Sequence, residues 1–197
     1  MGQARSGFCI KSAAEMNTLI FRLGSVLLIY ISHNSLRSPQ SHGFYRFIAW
    51  ECILALFVLN MKFWFYQPFS WNQLIAWTLL LLSLIPLGFG IHFLRTHGKP
   101  VEKREGDPSL LAFEKTTQLV TDGIYKFIRH PLYCSLLLLT WGIFFKHPEL
   151  TPLIIAVTAT AFLIFTAKAD EAECIRFFGP PYQDYVQRTK MFIPYIF

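Results

Sequence analysis

Long apolar stretches separated by short polar connections dominate this chain. Three of them, residues 17–32, 44–66 and 71–94, fill most of the first half, and two shorter ones follow at 132–145 and 153–167. Because about 20 apolar residues of helix span the hydrocarbon core of a bilayer, the pattern predicts an all-α polytopic membrane protein with about five transmembrane helices. Two prolines in the connection between the last two stretches predict a tight helical hairpin.

Two polar segments lie between and after these stretches. Residues 95–118 mix both charges with glycine and proline, which is typical of a loop. A short helix is predicted within it over 110–117, because Asp107-Pro108 suits a helix start. Residues 168–187 are polar enough to leave the membrane and are predicted to form a cytoplasmic C-terminal helix.

The composition agrees with a membrane location. The chain is 53% hydrophobic and 15% charged, whereas soluble domains carry roughly 25% charged residues. No internal repeat is present, so we interpret residues 1–197 as one integral-membrane domain. Within it, 1–94 supply the first three membrane helices and 95–197 supply the catalytic part.

The basic residues are distributed by membrane side. When the connections are assigned alternately to two sides, thirteen of the eighteen lysines and arginines fall on the same side. The positive-inside rule then predicts that residues 95–130 and the C-terminus face the cytoplasm and that the N-terminus lies outside. The net charge of +6 therefore indicates membrane topology, and no nucleic-acid partner is predicted.

Cysteine and histidine spacing does not suggest a metal. The four cysteines form no CxxC pair, and His92 and His97 fall on different faces of a helix. Neither pattern matches the ligand spacing of a structural or catalytic zinc site. We predict no metal.

A first polar cluster lies at the point where the chain re-enters an apolar stretch. Arg129, His130 and Tyr133 stand beside Pro131, which can open a helix. Ionisable groups at such a boundary are costly to desolvate and commonly mark function.

A second polar cluster follows the predicted hairpin and contains Asp170, Glu171 and Glu173. Helical spacing aligns Glu171 with apolar residues, where an isolated carboxylate is unfavourable without a partner. Arg129 in the first cluster is the simplest partner. The sequence alone leaves open whether that pair is catalytic or only structural.

Together the clusters form two ordered motifs. The first reads Leu-Val-Thr-x-Gly-x-Tyr-x-x-x-Arg-His-Pro-x-Tyr over residues 119–133, and the second reads Asp-Glu-x6-Phe-Gly-x-x-Tyr-x-x-Tyr over 170–185. With an apolar hairpin between them, they resemble the isoprenylcysteine carboxyl methyltransferase family, which is related to the membrane phospholipid N-methyltransferases. The resemblance covers roughly residues 95–197.

This resemblance implies S-adenosylmethionine as methyl donor, bound in a cytoplasm-facing pocket. The absence of a Gly-x-Gly loop after a strand agrees with a site that is not of the Rossmann type. The family's motifs assign the cofactor contacts to the following residues: Gln118, Leu119, Val120, Tyr125, His130, Pro131, Leu132, Tyr133 and Asp170. Arg129 and Glu171 are the predicted catalytic residues.

Two positions depart from the family pattern. Asp170 stands where the family usually has Glu, which is a mild change. Thr166 stands where the prenylcysteine enzymes have an Arg that meets the substrate carboxylate, and the nearby Lys168 is not equivalent to a bidentate Arg. We therefore expect a lipophilic small molecule or lipid, entering from the bilayer between 132–145 and 153–165, as the acceptor.

Two other functions are compatible with parts of the pattern. Membrane sterol reductases share an Arg-His-x-x-Tyr element and use NADPH, but they usually carry Asn directly before that Tyr, where this chain has Leu132. A membrane interaction protein without enzymatic activity would not require Tyr125, His130 and Asp170 to converge.

Overall fold

The computed structural model of the protein describes residues 2–101, 110–111 and 114–194. The described residues form an all-helical bundle, which confirms the predicted fold class. Its helices are α1 (Gly2–Leu36), α2 (His42–Asn60), α3 (Trp71–His97), α4 (Pro131–Phe144), α5 (Leu150–Phe178) and α6 (Pro180–Arg188), with short 3-10 helices at Met61–Phe63 and Gly123–Lys126.

Four helical segments within the described residues are long and apolar enough to cross a membrane. They are Glu15–Leu36, His42–Phe63, Trp71–His97 and Leu150–Phe178. Helix α4 is apolar but has only 14 residues, or about 21 Å of helix, so the predicted count of five spanning helices is not confirmed. The hairpin prediction is confirmed, because α4 and α5 are joined by five residues and pack on each other.

The predicted bounds of the C-terminal helix, 168–187, need correction. Helix α5 continues through this region as far as Phe178, because nothing in 168–178 breaks a helix. The break comes at Gly179, whose φ of 67° lies in the left-handed region that glycine adopts without strain. The C-terminal helix α6 then begins at Pro180, a favourable residue for a first helical position.

The short helix predicted over 110–117 is not formed by the described residues of that range. The amides of Thr117 and Gln118 donate to the carbonyl of Gly98, and the amide of Val101 donates to the carbonyl of Lys115. The segment therefore runs alongside the residues that follow α3, and these tertiary hydrogen bonds replace helical ones. Asp107-Pro108 lie outside the described residues.

Small side chains lie where helices of the bundle pack together. Helix α1 packs on α2, α2 packs on α5, and α4 packs on both α3 and α5. Ala156, Ala159 and Ala167 of α5 are fully buried, and such small residues let membrane helices approach closely. Leu56 and Ile143 complete the core on α2 and α4.

The C-terminal segment after α6 positions the start of α4. The amides of Arg129 and His130 donate to the carbonyls of Lys190 and Met191, at 2.8 and 3.1 Å, and the amide of Lys190 donates to the carbonyl of Phe127. Because the backbone around Arg129 and His130 is held on this side, their side chains are directed towards α5.

Candidate active site

A cavity with about 670 Å³ of empty space lies at the end of the bundle where α4 begins and α5 ends. Its wall is mostly apolar and aromatic with a few convergent polar groups, which is typical of a small-molecule site. Most of the residues predicted from the two motifs line it. They are Leu119, Val120, Tyr125, Arg129, His130, Pro131, Leu132, Tyr133 and Asp170.

His130 occupies the centre of the charged cluster. Its Nδ1 lies 3.5 Å from Asp170 Oδ2 and its Nε2 lies 3.3 Å from Glu171 Oε1. Burial alone would lower the pKa of His130, but the two carboxylates outweigh it and raise the pKa above its ordinary value of 6.5. His130 is thereby held between two carboxylates, which favour its protonated form.

Arg129 connects the start of α4 to α5 and to the end of α6. Its Nε donates to Glu171 Oε1 at 2.6 Å, and its Nη1 donates to the carbonyls of Val186 and Thr189. The pairing of Arg129 with Glu171 expected from the sequence is therefore present. Glu171 itself is reached through Arg129 and His130 and does not line the cavity.

Asp170 presents its carboxylate to the cavity from α5. Tyr133 donates its hydroxyl to Asp170 Oδ2 at 3.3 Å, and Cys174 one turn later donates its thiol to Oδ1 at 3.7 Å. The ring of Tyr133 stacks on that of His130, with centroids 5.4 Å apart. Asp170, His130 and Tyr133 thus form one contiguous polar wall.

Tyr125, on the second 3-10 helix, also lines the cavity. Its hydroxyl donates to the carbonyl of Gly90 on α3, and its own carbonyl accepts from Tyr185 at 2.6 Å. Burial raises the pKa of Tyr125 well above its ordinary value. The turn requires Gly123, because φ there is 60° and a Cβ would lie 2.1 Å from the ring of Phe93.

Gln118 is the one predicted contact that lies away from the cavity. Its side chain is exposed, and its backbone amide bonds to Gly98. The hydrogen bonds to Gly98 hold this part of the chain with the Gln118 side chain outwards, whereas the next two residues line the cavity.

Sequence reasoning missed about half of the cavity wall. The additional lining residues are Leu94, Leu110, Glu114, Thr116, Cys174, Phe178, Tyr182 and Tyr185. Phe178, Tyr182 and Tyr185 belong to the second motif, which was the signal available for them. Leu94 and Glu114 come from distant segments and carried no such signal.

Two buried ion pairs behind the cavity were also missed. His42 Nδ1 bonds to Glu173 Oε2, and the backbone amide of His42 donates to Glu173 Oε1 at 3.0 Å. Arg46 Nη1 donates to both carboxylate oxygens of Glu114, at 3.1 and 2.8 Å. A charged residue in an apolar stretch, as Arg46 is, was the signal for the second pair.

Among the described residues, one group has a geometry compatible with a metal ion. His42, Asp170 and Glu173 each bring a donor atom to within 4.8 Å of one another. Since His42 and Glu173 already bond to each other, an ion pair accounts for their approach. The absence of a metal stays a prediction.

The geometry can be compared with known proteins. Residues 109–180 match the phospholipid methyltransferase family, and this range covers the first motif and the start of the second. A methanethiol S-methyltransferase 2 of Bradyrhizobium diazoefficiens is 29% identical over 86% of this chain and 71% of its own length. A methanethiol S-methyltransferase of Pseudomonas sp. strain GM41 is 29% identical over 70% of this chain.

The chain matches only part of some of these relatives, since the alignment covers 55% of the Pseudomonas protein. A Delta(14)-sterol reductase of Mus musculus is 26% identical over 76% of this chain but only 37% of its own length. No solved structure gives a significant match. The comparisons confirm the predicted resemblance to membrane methyltransferases, and they support the predicted enzyme class.

Proposed function

We propose that this protein is an integral membrane methyltransferase that uses S-adenosylmethionine to methylate a small lipophilic thiol. The observation that carries the proposal is the wall formed by His130, Tyr133 and Asp170. These residues come from two motifs about 40 positions apart, and they meet in one cavity within the segment that matches the phospholipid methyltransferases.

The residues of the cavity suit this methyl donor. Tyr125, Tyr133 and Tyr182 offer aromatic faces, which bind adenine by stacking and attract a sulfonium cation. Asp170 offers a carboxylate that can accept hydrogen bonds from ribose hydroxyls or from the amino group. We therefore assign these four residues to donor binding, together with the backbone of Leu119 and Val120.

Arg129 and Glu171, predicted as catalytic, are better described as positioning residues. Arg129 ties Glu171 to the C-terminal segment, and Glu171 in turn holds His130. Both act through His130, whose orientation they fix. Hydrogen-bonded support of this kind keeps a site in its productive geometry.

When bound, the donor supplies an electrophilic methyl group on a cationic sulfur. The acceptor thiol would lose its proton to solvent before the site excludes water. Its sulfur would then bond to the methyl carbon, and the electron pair of the broken carbon–sulfur bond would stay on the sulfur of the departing thioether. The chain's own residues orient the two reactants and exclude water, and positioning of this kind contributes a large part of the rate.

A thiol acceptor is supported by the relatives and by one side chain. The similar proteins of Bradyrhizobium and Pseudomonas are named methanethiol S-methyltransferases. Thr166 is fully buried and donates its hydroxyl to the carbonyl of Phe162, so it offers nothing to a substrate carboxylate. An uncharged thiol needs no cationic side chain to bind it.

The cofactor assignment is tested by thermal unfolding in detergent. S-adenosylmethionine should raise the unfolding midpoint, because a ligand that binds the folded state stabilises it. Asp170→Ala and His130→Ala should weaken binding about 10- to 100-fold, the usual loss for one hydrogen bond to a charged group. Asp184→Ala, which removes an exposed carboxylate on α6, is the matched control. No shift at saturating cofactor with folded protein would exclude the assignment.

The acceptor is tested by a methyl-transfer screen with radiolabelled S-adenosylmethionine. The panel contains methanethiol and other small thiols, phospholipid extracts and a prenylcysteine analogue. We expect methylated thioethers. Efficient methylation of the prenylcysteine analogue alone would contradict the argument from Thr166.

An NADPH-dependent reductase is the second candidate, and the similarity to the mouse sterol reductase favours it. Leu132 lines the cavity directly before Tyr133, at the position where those reductases usually have Asn. Parallel binding measurements with S-adenosylmethionine and NADPH separate the two candidates, since only one of them should bind with micromolar or better affinity.

We further propose that the cavity faces the cytoplasm and that the N-terminus lies outside. The asymmetry of basic residues supports this orientation. A single cysteine introduced at exposed Lys99, in a background without the native cysteines, should react with an impermeant maleimide only from the cytoplasmic side. Labelling from the outside would reverse the topology.

A further inference from the structure

A second cavity, separate from the active site, opens between α1, α2 and α4. It offers about 1080 Å³ of empty space, part of it open to the outside, and its walls are apolar side chains such as Leu27 and Leu28 of α1, Trp50 of α2, and Leu136 and Ile143 of α4. We call it the α1–α4 groove. Leu27 is 57% exposed on its rim, so the groove is open to the lipid.

One end of the groove lies next to the active site. Trp50 follows Arg46 by one helical turn, and the guanidinium carbon of Arg46 stands 5.0 Å from the centre of the Trp50 ring. Arg46 in turn bonds to Glu114, which lines the active-site cavity. The Arg46–Glu114 pair therefore stands between the two cavities on the α2 side.

Helix α4 makes the same connection on the other side. Tyr133 lines the active-site cavity and Leu136, three residues later, lines the groove. Three residues of helix correspond to about 4.5 Å. The two cavities therefore come within about one turn of α4 of each other, a distance that the apolar tail of a molecule with its reactive atom beside Tyr133 would span.

We propose that the α1–α4 groove binds the hydrocarbon body of the acceptor thiol, with the sulfur directed to the Tyr133 end. This inference rests on the proposed function. Methanethiol has a single carbon and would leave the groove unused, whereas an alkyl or aryl thiol with a longer apolar body fills it. The groove thus assigns thiols larger than methanethiol as the preferred acceptors.

The route differs from the one expected from the sequence. Helix α4, within the expected range 132–145, forms a wall through Leu136, Leu139 and Ile143, but α1 and α2 supply the other walls in place of 153–165. A smaller cavity, with about 910 Å³ of empty space, does lie between α4 and α5, lined by Leu138 and Ile164 among others. A substitution in this smaller cavity, Leu138→Trp, therefore serves as the control for substitutions in the α1–α4 groove.

The test compares octanethiol with ethanethiol. Each methylene buried in an apolar site favours binding by up to about fourfold, so wild type should prefer octanethiol in kcat/KM by roughly tenfold or more. Leu27→Trp fills the groove from its rim and should lower the octanethiol-to-ethanethiol ratio at least about fivefold. Val26→Trp, on the neighbouring lipid-facing position (64% exposed), should leave the ratio within about twofold of wild type.

A binding measurement separates this inference from the proposed function. Octyl methyl sulfide, added with S-adenosylhomocysteine in nanodiscs, should raise the thermal midpoint of wild type and of Val26→Trp but not of Leu27→Trp. That result would support binding of an apolar tail in the groove even if no thiol were methylated. A failure to methylate any thiol would refute only the proposed function. Equal responses of the two variants, or loss with Leu138→Trp instead of Leu27→Trp, would overturn the groove as the acceptor site and leave it as a surface for lipid chains.

Discussion

The two ends of the helix bundle bury cations in different ways. At the active-site end, Arg46 and Arg129 each meet a carboxylate, Glu114 and Glu171. At the opposite end, Lys146 is only 1% exposed, yet among the described residues its ammonium has no carboxylate within salt-bridge distance.

Neutral groups hold Lys146 instead. Its Nζ donates to Gln73 Oε1 at 3.0 Å and to the carbonyl of Trp64 at 3.4 Å, and it stands 3.5 Å from the centre of the Trp77 ring. Burial lowers the pKa of Lys146 from 10.5 to about 8. Burial at this end favours the neutral form of Lys146, whereas at the active-site end each arginine is paired with an oppositely charged carboxylate.

This contrast reflects the different roles of the two ends. An ion pair between distant segments holds them in one relative position, and losing one partner strands the other charge. Loss of Lys146 would strand no opposite charge, because the groups that hold it are neutral. Charge is therefore retained at the active-site end, where geometry matters for chemistry.

Arg129→Ala should change stability more than any other substitution considered. Losing this side chain strands Glu171 and releases the carbonyls of Val186 and Thr189, so the free energy of unfolding should fall by about 3–5 kcal/mol. Thermal unfolding in detergent measures it. Arg188→Ala, which removes an exposed arginine from α6, should have little effect.

A double variant tests the same ion pair further. In Arg129→Ala/Glu171→Gln the stranded charge is gone, so part of the lost stability should return. If both the single and the double variant were as stable as wild type, the two ends of the bundle would not differ in the way described.

Lys146→Met should have a moderate effect of opposite sign. The methionine keeps the length and apolar contacts of the side chain and removes the buried charge, but it also gives up the hydrogen bonds to Gln73 and Trp64. The variant should therefore be more stable than wild type at pH 7 by only about 1 kcal/mol. Wild type binds fewer protons when folded than when unfolded between pH 8 and 10.5. Its stability should therefore rise through that window relative to that of the variant. A large loss of stability in Lys146→Met would contradict this.

The pH dependence contributed by His130 should be the weakest of these effects. Its pKa is raised in the folded state by Asp170 and Glu171 above the ordinary value of 6.5, so the stabilisation is fully present below pH 6.5 and is lost as pH rises through the folded pKa. His130→Gln should lower the free energy of unfolding at pH 6 by about 1 kcal/mol, the usual net contribution of a hydrogen bond. The difference from wild type should shrink at higher pH. A constant difference across this range would show that His130 is not held as a cation.

Periodicity and residue chemistry predicted much of this molecule. The apolar stretches were long enough to indicate membrane helices without tertiary information. The pairing of Arg129 with Glu171 followed from the cost of a carboxylate on an apolar helix face. The resemblance of the two motifs to a known family, and not residue chemistry alone, located much of the active-site cavity between Leu119 and Tyr133.

The same reasoning was wrong where polar residues continue a helix and where tertiary hydrogen bonds replace a predicted one. Residues 168–178 were expected to belong to a separate helix because they are polar, but polarity alone does not end a helix, and the chain breaks only at Gly179. The helix expected over 110–117 was lost to hydrogen bonds with Gly98, a partner that local propensity does not include.

The membrane class, the two motifs and the chemistry of their side chains could all be established from the amino-acid sequence, because they depend on local composition and spacing. Three features emerged only from the packed helices: α2 brings His42 and Arg46 behind the cavity, Glu114 pairs with Arg46, and α1, α2 and α4 leave a groove beside it. These features join residues as many as 131 positions apart. No short-range pattern encodes such contacts, since helix packing selects which faces meet.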